Sequence, residues 1–281
     1  MYFFIYKMAG LSGKNCLSKG LLLLLIFSGF CLSQESAHNH AGHSFSLEYA
    51  GSSPHSPEYF TQGLFFHDGR LYESIGQYGE SALIKYQQDN QTPSLQRKLD
   101  DRFFAEGATN HLGTIYQLTW RAQIAFAYQG AMLSPSRGFE YSGEGWGLTS
   151  DGQFLWLSDG SDKLKRIDKS GQVLEEISVH MEGRPLDRLN ELEWVNGWIL
   201  ANRWYDPRVY VISPESGEVF HAFDFTALAS RELRTNPDNV LNGIAWNPET
   251  EQLWITGKNW RRFYQFRLKI PEPTADNTPL N

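Results

Sequence analysis

The apolar and polar positions of this chain repeat. Five times a polar or aromatic residue and a small or acidic one lead into an apolar run: Gln62-Gly63-Leu64, Glu106-Gly107-Ala108, Trp146-Gly147-Leu148, Asn190-Glu191-Leu192 and Asn242-Gly243-Ile244. Each is followed by a second apolar run, namely Leu71-Tyr72-Glu73-Ser74, Ile115-Tyr116-Gln117-Leu118, Leu155-Trp156-Leu157-Ser158, Trp198-Ile199-Leu200-Ala201 and Leu253-Trp254-Ile255-Thr256. Between the two lie His67-Asp68-Gly69, His111-Leu112-Gly113, Ser150-Asp151-Gly152, Val195-Asn196-Gly197 and Asn247-Pro248-Glu249. Asp-Gly and Asn-Gly between apolar runs signal a tight hairpin, because its central residues must take positive φ.

Every unit then supplies a third, alternating strand: Ala82–Tyr86, Gln123–Tyr128, Leu164–Ile167, Val209–Ile212 and Phe263–Phe266. Four units continue into a more polar fourth strand, whereas the last runs directly into Pro271-Glu272-Pro273. The missing strand has a donor in Phe45–Tyr49. Pairing the two ends of the chain in one sheet removes the exposed edges that an open array would leave. The pattern therefore predicts an all-β fold, a five-bladed β-propeller closed by an N-terminal strand, as a single domain over residues 44–270. Residues 271–281 form a C-terminal tail.

Composition agrees. Of 281 residues, 41% are hydrophobic and 20% charged, as in a globular chain, and the aromatic share of 14% favours strands. A net charge of −7 leaves no basic surface for a phosphate backbone or an anionic membrane, so nucleic acid is excluded as a partner. The first 33 residues carry Lys7, Lys14 and Lys19 ahead of an apolar stretch from Leu21 to Phe30, the pattern of a secretory signal. That stretch is short for a membrane span, so an exported protein, periplasmic or secreted, without stable membrane insertion after signal removal is expected. Both cysteines, Cys16 and Cys31, fall within it, which leaves a mature domain without disulfides. Residues 34–43 read as a flexible polar leader, and its His38, His40 and His43 lack the packed context of a metal site.

In a propeller the starts of the inner strands and the ends of the second strands emerge on one face. Here that places Gln62, Glu106, Trp146, Asn190 and Asn242, with Glu144 just ahead, beside Trp120, Asp159, Trp204 and Lys258. Carboxylates, amides, indoles and a lysine around one mouth suit either a polar lining of the channel or a substrate site. No nucleotide-binding glycine loop, zinc-ligand spacing or nucleophile elbow is present; Gly143-Glu144-Gly145-Trp146-Gly147 opens a strand, not a helix.

These same residues carry a family resemblance. Thr61-Gln62-Gly63-Leu64, Tyr72-Glu73-Ser74, Gly76-Gln77-Tyr78-Gly79, Glu106-Gly107, Gln117-Leu118-Thr119-Trp120, Glu144-Gly145-Trp146-Gly147-Leu148, Ser158-Asp159-Gly160-Ser161, Leu189-Asn190-Glu191-Leu192-Glu193, Asn202-Arg203-Trp204, Leu241-Asn242-Gly243-Ile244-Ala245 and Thr256-Gly257-Lys258-Asn259-Trp260 resemble the glutamine cyclotransferase family, in order and at every blade. The resemblance implies an enzyme of the plant and bacterial type, without metal or other cofactor, that converts the N-terminal glutamine of peptides or proteins into pyroglutamate. It implies that Glu106 shuttles the proton, with Asn190 and Lys258 among the substrate-pocket residues. It assigns Gln62, Phe60, Phe104, Trp120, Trp146 and Trp204 to the substrate pocket. Glu144, Asp159 and Asn242 would position these groups from behind.

The residue types suit that chemistry. The nucleophile is tethered to its own electrophile, so the enzyme must fix a ring-forming conformer, move protons and hold an oxyanion. Phe103, Phe104 and Trp120 would desolvate Glu106 and raise its pKa. Lys258 either steadies the oxyanion, with Asn190 or an indole N–H, or pairs with Glu144 or Asp159. Two rival readings share the residues: a calcium-dependent lactonase-like hydrolase using Glu106, Asn190, Asn242 and Asp159 as oxygen ligands, and a non-catalytic peptide-binding propeller.

One prediction joins the signal to the resemblance. Cys31-Leu32-Ser33 offers small residues at the positions a signal peptidase inspects, which puts the cut before Gln34 and makes glutamine the first mature residue. The exported protein is expected to carry pyroglutamate at position 34, formed faster than in a Glu106→Gln variant. Intact-mass measurement checks it; a free Gln34 or a different cleavage site would contradict it.

Overall fold

A computed structural model of the chain describes residues 44–232 and 236–271. The signal, the leader with its histidines and residues 272–281 lie outside the described residues. Among the described residues, no helix is long and apolar enough to cross a membrane.

The strand β1 (Ser46–Pro54) opens the fold. The first blade is β2 (Thr61–His67), β3 (Arg70–Ile75), β4 (Ala82–Tyr86) and β5 (Pro93–Lys98), and the second β6 (Ala105–His111), β7 (Thr114–Thr119), β8 (Ile124–Gln129) and β9 (Ser134–Glu140). The third is β10 (Leu148–Ser150), β11 (Leu155–Ser158), β12 (Lys163–Ile167) and β13 (Val173–Ser178). A small hairpin, β14 (His180–Met181) and β15 (Arg184–Pro185), precedes the fourth blade, β16 (Leu189–Val195), β17 (Trp198–Arg203), β18 (Arg208–Ile212) and β19 (Val219–Asp224). A short helix, α1 (Thr226–Glu232), leads to β20 (Leu241–Asn247), β21 (Gln252–Gly257) and β22 (Arg262–Lys269). These last three strands take β1 as their fourth, in the order β1-β22-β21-β20. The fold is thus the expected five-bladed propeller closed by its N-terminal strand.

Pairing of β1 with β22 runs from Ser46 opposite Lys269 to Pro54 opposite Arg262, with a bulge between Tyr49 and Gly51. The closing strand is longer than the expected Phe45–Tyr49, because the polar Ser52 and Ser53 meet the side chains of Arg262 and Gln265 and continue the ladder. The β14–β15 hairpin and α1 are departures from the repeat. Each is too short to leave a periodic signal. At β2–β3, β6–β7 and β16–β17 the two-residue turns are Asp68-Gly69, Leu112-Gly113 and Asn196-Gly197, with every φ positive, as the hairpin signals require.

The core lies between blades, not inside one. Five apolar clusters fill the five seams: Phe65, Tyr72 and Leu83 meet Ala108 and Ile115; Tyr116 and Leu118 meet Leu148 and Leu155; Trp156 and Leu164 meet Leu192 and Ile199; Val195 and Trp198 meet Ile244 and Leu253; Ala245, Trp254 and Phe263 meet Leu64 and Leu71. Each seam therefore buries side chains that neither sheet could bury alone, which ties the stability of every blade to its neighbours.

Nearer the axis the ring is joined by buried hydrogen bonds. Ser74 Oγ donates to Glu106 O at 2.5 Å, Gly107 N to Trp146 O at 2.7 Å and Ser158 Oγ to Asn190 O at 2.6 Å. Gly243 N donates to Asn202 Oδ1 and Asn242 Nδ2 to Thr61 O, both at 2.9 Å, which completes the circle. The final seam carries a buried polar knot as well. Glu73 accepts from Thr61 Oγ1 at 2.6 Å, Tyr86 Oη at 2.6 Å and His55 Nε2 at 2.9 Å, while His55 Nδ1 donates to Trp260 O at 2.6 Å. Burial lowers the His55 pKa, but the Glu73 carboxylate outweighs it and the net shift is upward.

Because β1 covers the outer edge of β22, deleting residues 44–50 should bare that edge and cause aggregation. Light scattering of the truncated protein checks this; a soluble, monodisperse and active truncation would contradict it.

Candidate active site

A common irregularity aims the site residues. The pairing of inner and second strands slips between Thr61 and Gly63, Ala105 and Ala108, Leu189 and Leu192, and Leu241 and Ile244. In the third blade regular pairing begins only at Leu148, and Trp146 N is held separately by Ser158 O at 2.9 Å. A bulge leaves one residue unpaired and redirects side chains, which is why such slips gather beside functional sites. Four of the residues at these positions, Gln62, Glu106, Trp146 and Asn190, line one cavity of about 360 Å³. The fifth, Asn242, lies behind it and donates to Gln62 Oε1 at 3.4 Å.

The cavity walls are aromatic. Phe60 meets Phe104 edge-on at 6.2 Å between centroids, Phe104 meets Trp120 at 5.6 Å, and Trp146 meets Trp204 at 5.5 Å. Edge-to-face contacts of this kind fix ring planes as well as bury them. Glu144 locks two of the rings from outside, since its Oε2 accepts from Trp120 Nε1 at 2.7 Å and Trp146 Nε1 at 3.0 Å. The indole N–H groups of Trp120 and Trp146 are therefore committed, and neither is turned toward an oxyanion.

Glu106 and Lys258 share this cavity, and both are buried. Burial pushes the Glu106 carboxyl well above the usual carboxylate range; Lys258 opposes that shift and the negative Glu144 adds to it. Burial drives the Lys258 ammonium down to about 8, held from falling further by Glu106 and Asp238. Its Nζ sits 4.7 Å from the centre of the Phe60 ring, a cation–π position. The alternative partners foreseen for Lys258 are occupied elsewhere: Glu144 pairs with Arg121 at 3.1 Å and Asp159 with Lys165 at 2.8 Å. Asn190 has a buried Oδ1 with no hydrogen-bond partner, a polar atom awaiting a ligand.

One expectation needs correction. Phe103 does not line the cavity; it stands edge-on to Phe126 at 5.0 Å under the Arg102 guanidinium, and Phe104 supplies the apolar wall instead. Asp159, expected behind the site, stands outside the lining. It caps its own turn through Ser161 N at 3.1 Å, and only the next residue, Gly160, touches the cavity wall, so close beneath Trp146 that a Cβ would stand 2.7 Å from the ring. Three lining residues were not singled out as site residues: Gln77, Tyr205 and Asp238. All stand on connections between strands, where no repeat pattern marks them. Among the described residues, no three His, Cys, Asp or Glu side chains converge as metal ligands would. Of the oxygen donors of the lactonase reading, Glu106 and Asn190 line the cavity, Asn242 lies behind it and Asp159 is paired with Lys165.

Comparison with known proteins follows the same lines. The family model described as glutamine cyclotransferase matches residues 22–268. The chain is 34% identical over 236 residues, 82% of its length and 74% of the relative's, to glutaminyl-peptide cyclotransferase of Arabidopsis thaliana. The crystal structure of Myxococcus xanthus glutaminyl cyclase matches with a TM-score of 0.75 at 34% identity, covering 81% of this chain and 98% of that one.

The raised Glu106 pKa has a thermodynamic signature. A folded-state pKa above the unfolded one gives stability that is present at low pH and lost as pH rises toward the folded value. Replacing Glu106 with Gln removes that loss, so the variant should be at least as stable as wild type near pH 8. Its advantage should shrink toward pH 5, by up to about 1.4 kcal/mol per pH unit. Thermal denaturation of both proteins across this range checks it; a variant destabilised at pH 8 would mark Glu106 as a structural carboxylate.

Proposed function

The chain belongs to the glutamine cyclotransferase family, and we propose that it closes the N-terminal glutamine of peptides or proteins into pyroglutamate, releasing ammonia, by a mechanism that needs no metal ion. The observation that carries this reading is that a buried carboxyl, Glu106, and a buried ammonium, Lys258, line the same aromatic slot.

The flat carboxamide side chain of glutamine enters between the aromatic walls and carries its carbonyl toward Lys258 and Asn190. The free α-amine, whose pKa lies near 8, comes within reach of Glu106. Its nitrogen attacks the side-chain carbonyl carbon and forms the new C–N bond of the five-membered lactam. Glu106 takes the proton that the amine sheds and delivers it to the amide nitrogen, so the old C–N bond breaks and ammonia departs. A carboxyl that burial raises above the usual carboxylate range is better matched to both transfers than an exposed one. Lys258 and the Nδ2 group of Asn190 donate to the oxyanion in between. At pH 7 a lysine titrating at about 8 is largely charged, as this role requires.

Dispersal of the acidic side chains supports independence from metal: Glu144 is held by two indoles and Arg121, and Asp238 by Tyr205. The segment of residues 1–33 supports an exported enzyme, periplasmic or secreted, that meets its peptides outside the cytoplasm.

Incubation of the purified protein with a short Gln-initiated peptide should release ammonia. Glu106→Gln should bind the peptide as well as wild type while turnover falls roughly a hundredfold or more. Exhaustive chelation should leave the rate unchanged. Near wild-type turnover in Glu106→Gln would remove it from the mechanism, and activity lost to chelator and restored by Ca²⁺ or Zn²⁺ would refute the metal-free reading.

A further inference from the structure

The lining residues Gln62, Glu106, Asn190 and Lys258 are buried, whereas Tyr205 and Asp238 are exposed, so a bound peptide leaves on the side of the exposed pair. Glu191, buried on the inner strand that carries Asn190, bridges two other blades: its Oε1 accepts from Leu64 N at 3.2 Å and its Oε2 from Ile244 N at 2.9 Å. With the glutamine side chain among the aromatic walls, the chain beyond it rises past the mouth. One extended residue spans about 3.5 Å, so the second residue of the substrate lies at the rim.

The rim at the fourth and fifth blades is acidic and aromatic. Tyr205 is 48% exposed, lies against Trp204 with ring centroids 4.7 Å apart, and donates its hydroxyl to Asp238 Oδ1 at 2.5 Å. Tyr205 holds φ at 61°, a left-handed conformation that a tyrosine seldom adopts and that the surrounding structure must enforce. Asp238 is exposed, and Asn236 Oδ1 fixes its turn by accepting from Asp238 N at 2.9 Å. The basic side chains Arg121 and Arg203, which flank the neighbouring aromatics Trp120 and Trp204, are already neutralised, by Glu144 at 3.1 Å and Asp187 at 2.6 Å. Asp238 has no such counter-ion among the described residues; its side-chain partner is the tyrosine hydroxyl.

The geometry points to Tyr205 and Asp238 as the subsite for the second residue of the peptide, selecting a basic side chain, Arg or Lys, over an acidic one. The assignment rests on the cyclotransferase reading. A cationic side chain at this rim lies over the exposed tyrosine ring and meets an oxygen of Asp238, combining a cation–π contact with a charge-assisted hydrogen bond. An acidic side chain meets the same carboxylate with like charge. Neither residue takes part in the proton transfers, so both act as specificity-determining groups.

The test compares kcat/KM for three otherwise identical peptides that begin Gln-Arg, Gln-Ala and Gln-Glu. Wild type should prefer Gln-Arg to Gln-Glu by about tenfold at low salt, chiefly through KM, and the preference should weaken as ionic strength rises. Asp238→Asn should compress that ratio about three- to tenfold, and Tyr205→Phe, which removes the hydroxyl but keeps the ring, should compress it less. Asp238 also acts on Lys258, but that influence falls equally on all three peptides and cancels in the ratio. A ratio unchanged in Asp238→Asn, with Gln-Ala still cyclised, would overturn the subsite while leaving the enzyme's activity in place. Failure of the wild type to cyclise any of the three would overturn the cyclotransferase reading, and the subsite with it.

Discussion

The closeness of the five inner strands around the axis governs this molecule. At the position after four of the five site residues there is almost no room for a side chain: a Cβ on Gly107 would stand 2.6 Å from Leu148 N, and one on Gly147 1.9 Å from Asn190 O. Four blades meet the demand with Gly63, Gly107, Gly147 and Gly243. The fourth blade places Glu191 there instead, and its carboxylate occupies the axis that the glycines leave open. Burial raises the Glu191 pKa, and the neighbouring Glu193 adds to that rise. The two backbone N–H groups it accepts are the compensation for placing an acid in the centre of the ring, since an unbonded one would cost several kcal/mol.

From that packing the character of the site follows. Glu106 and Lys258 are buried among aromatic walls, so both groups are largely desolvated. In such a place a carboxyl is driven toward its neutral form and an ammonium toward its own, and each draws the other back. Glu106 and Lys258 show both effects, and Lys258 settles at about 8. Neither group could be tuned this way on an open surface, where solvent would screen the desolvation. The hydrogen-bond belt that joins Ser74, Gly107, Ser158, Asn202 and Asn242 to their neighbouring blades holds the backbone beneath these groups. The same bonds therefore close the ring and set the positions of the site residues.

Much of this was legible in the sequence because repetition reports geometry. A residue that recurs at the start of every inner strand must face the same mouth, so Gln62, Glu106, Trp146 and Asn190 could be grouped before any coordinates were known. Recurrence says nothing about connections that differ from blade to blade. Asp238 follows α1, an element with no counterpart in the other blades, and Tyr205 follows Trp204 in a turn of its own. Chemistry alone could not show which partners were already taken. Asp159 looked available to the site until Lys165 claimed it, and the indoles of Trp120 and Trp146 looked available to an oxyanion until Glu144 did. The blade-four exception was visible, since Asn190-Glu191 breaks an otherwise constant glycine, but the pattern does not say where the carboxylate goes.

A ring of five similar blades would, if its blades were identical, present five identical residues to the ligand. Intramolecular cyclisation requires the opposite, because the amine, the carbonyl and the leaving nitrogen each need a different neighbour. The scaffold resolves this by keeping the backbone irregularity and varying the side chain it displays, which gives Gln62, Glu106, Trp146, Asn190 and Asn242 in succession. The second strands vary in parallel and contribute Trp120, Trp204 and Lys258 at their ends. Position is thus set by what the blades share, and chemistry by what they do not. A substitution in the shared part, at the glycines or the belt, disturbs every site residue together, whereas one in the varied part removes a single role from an intact frame.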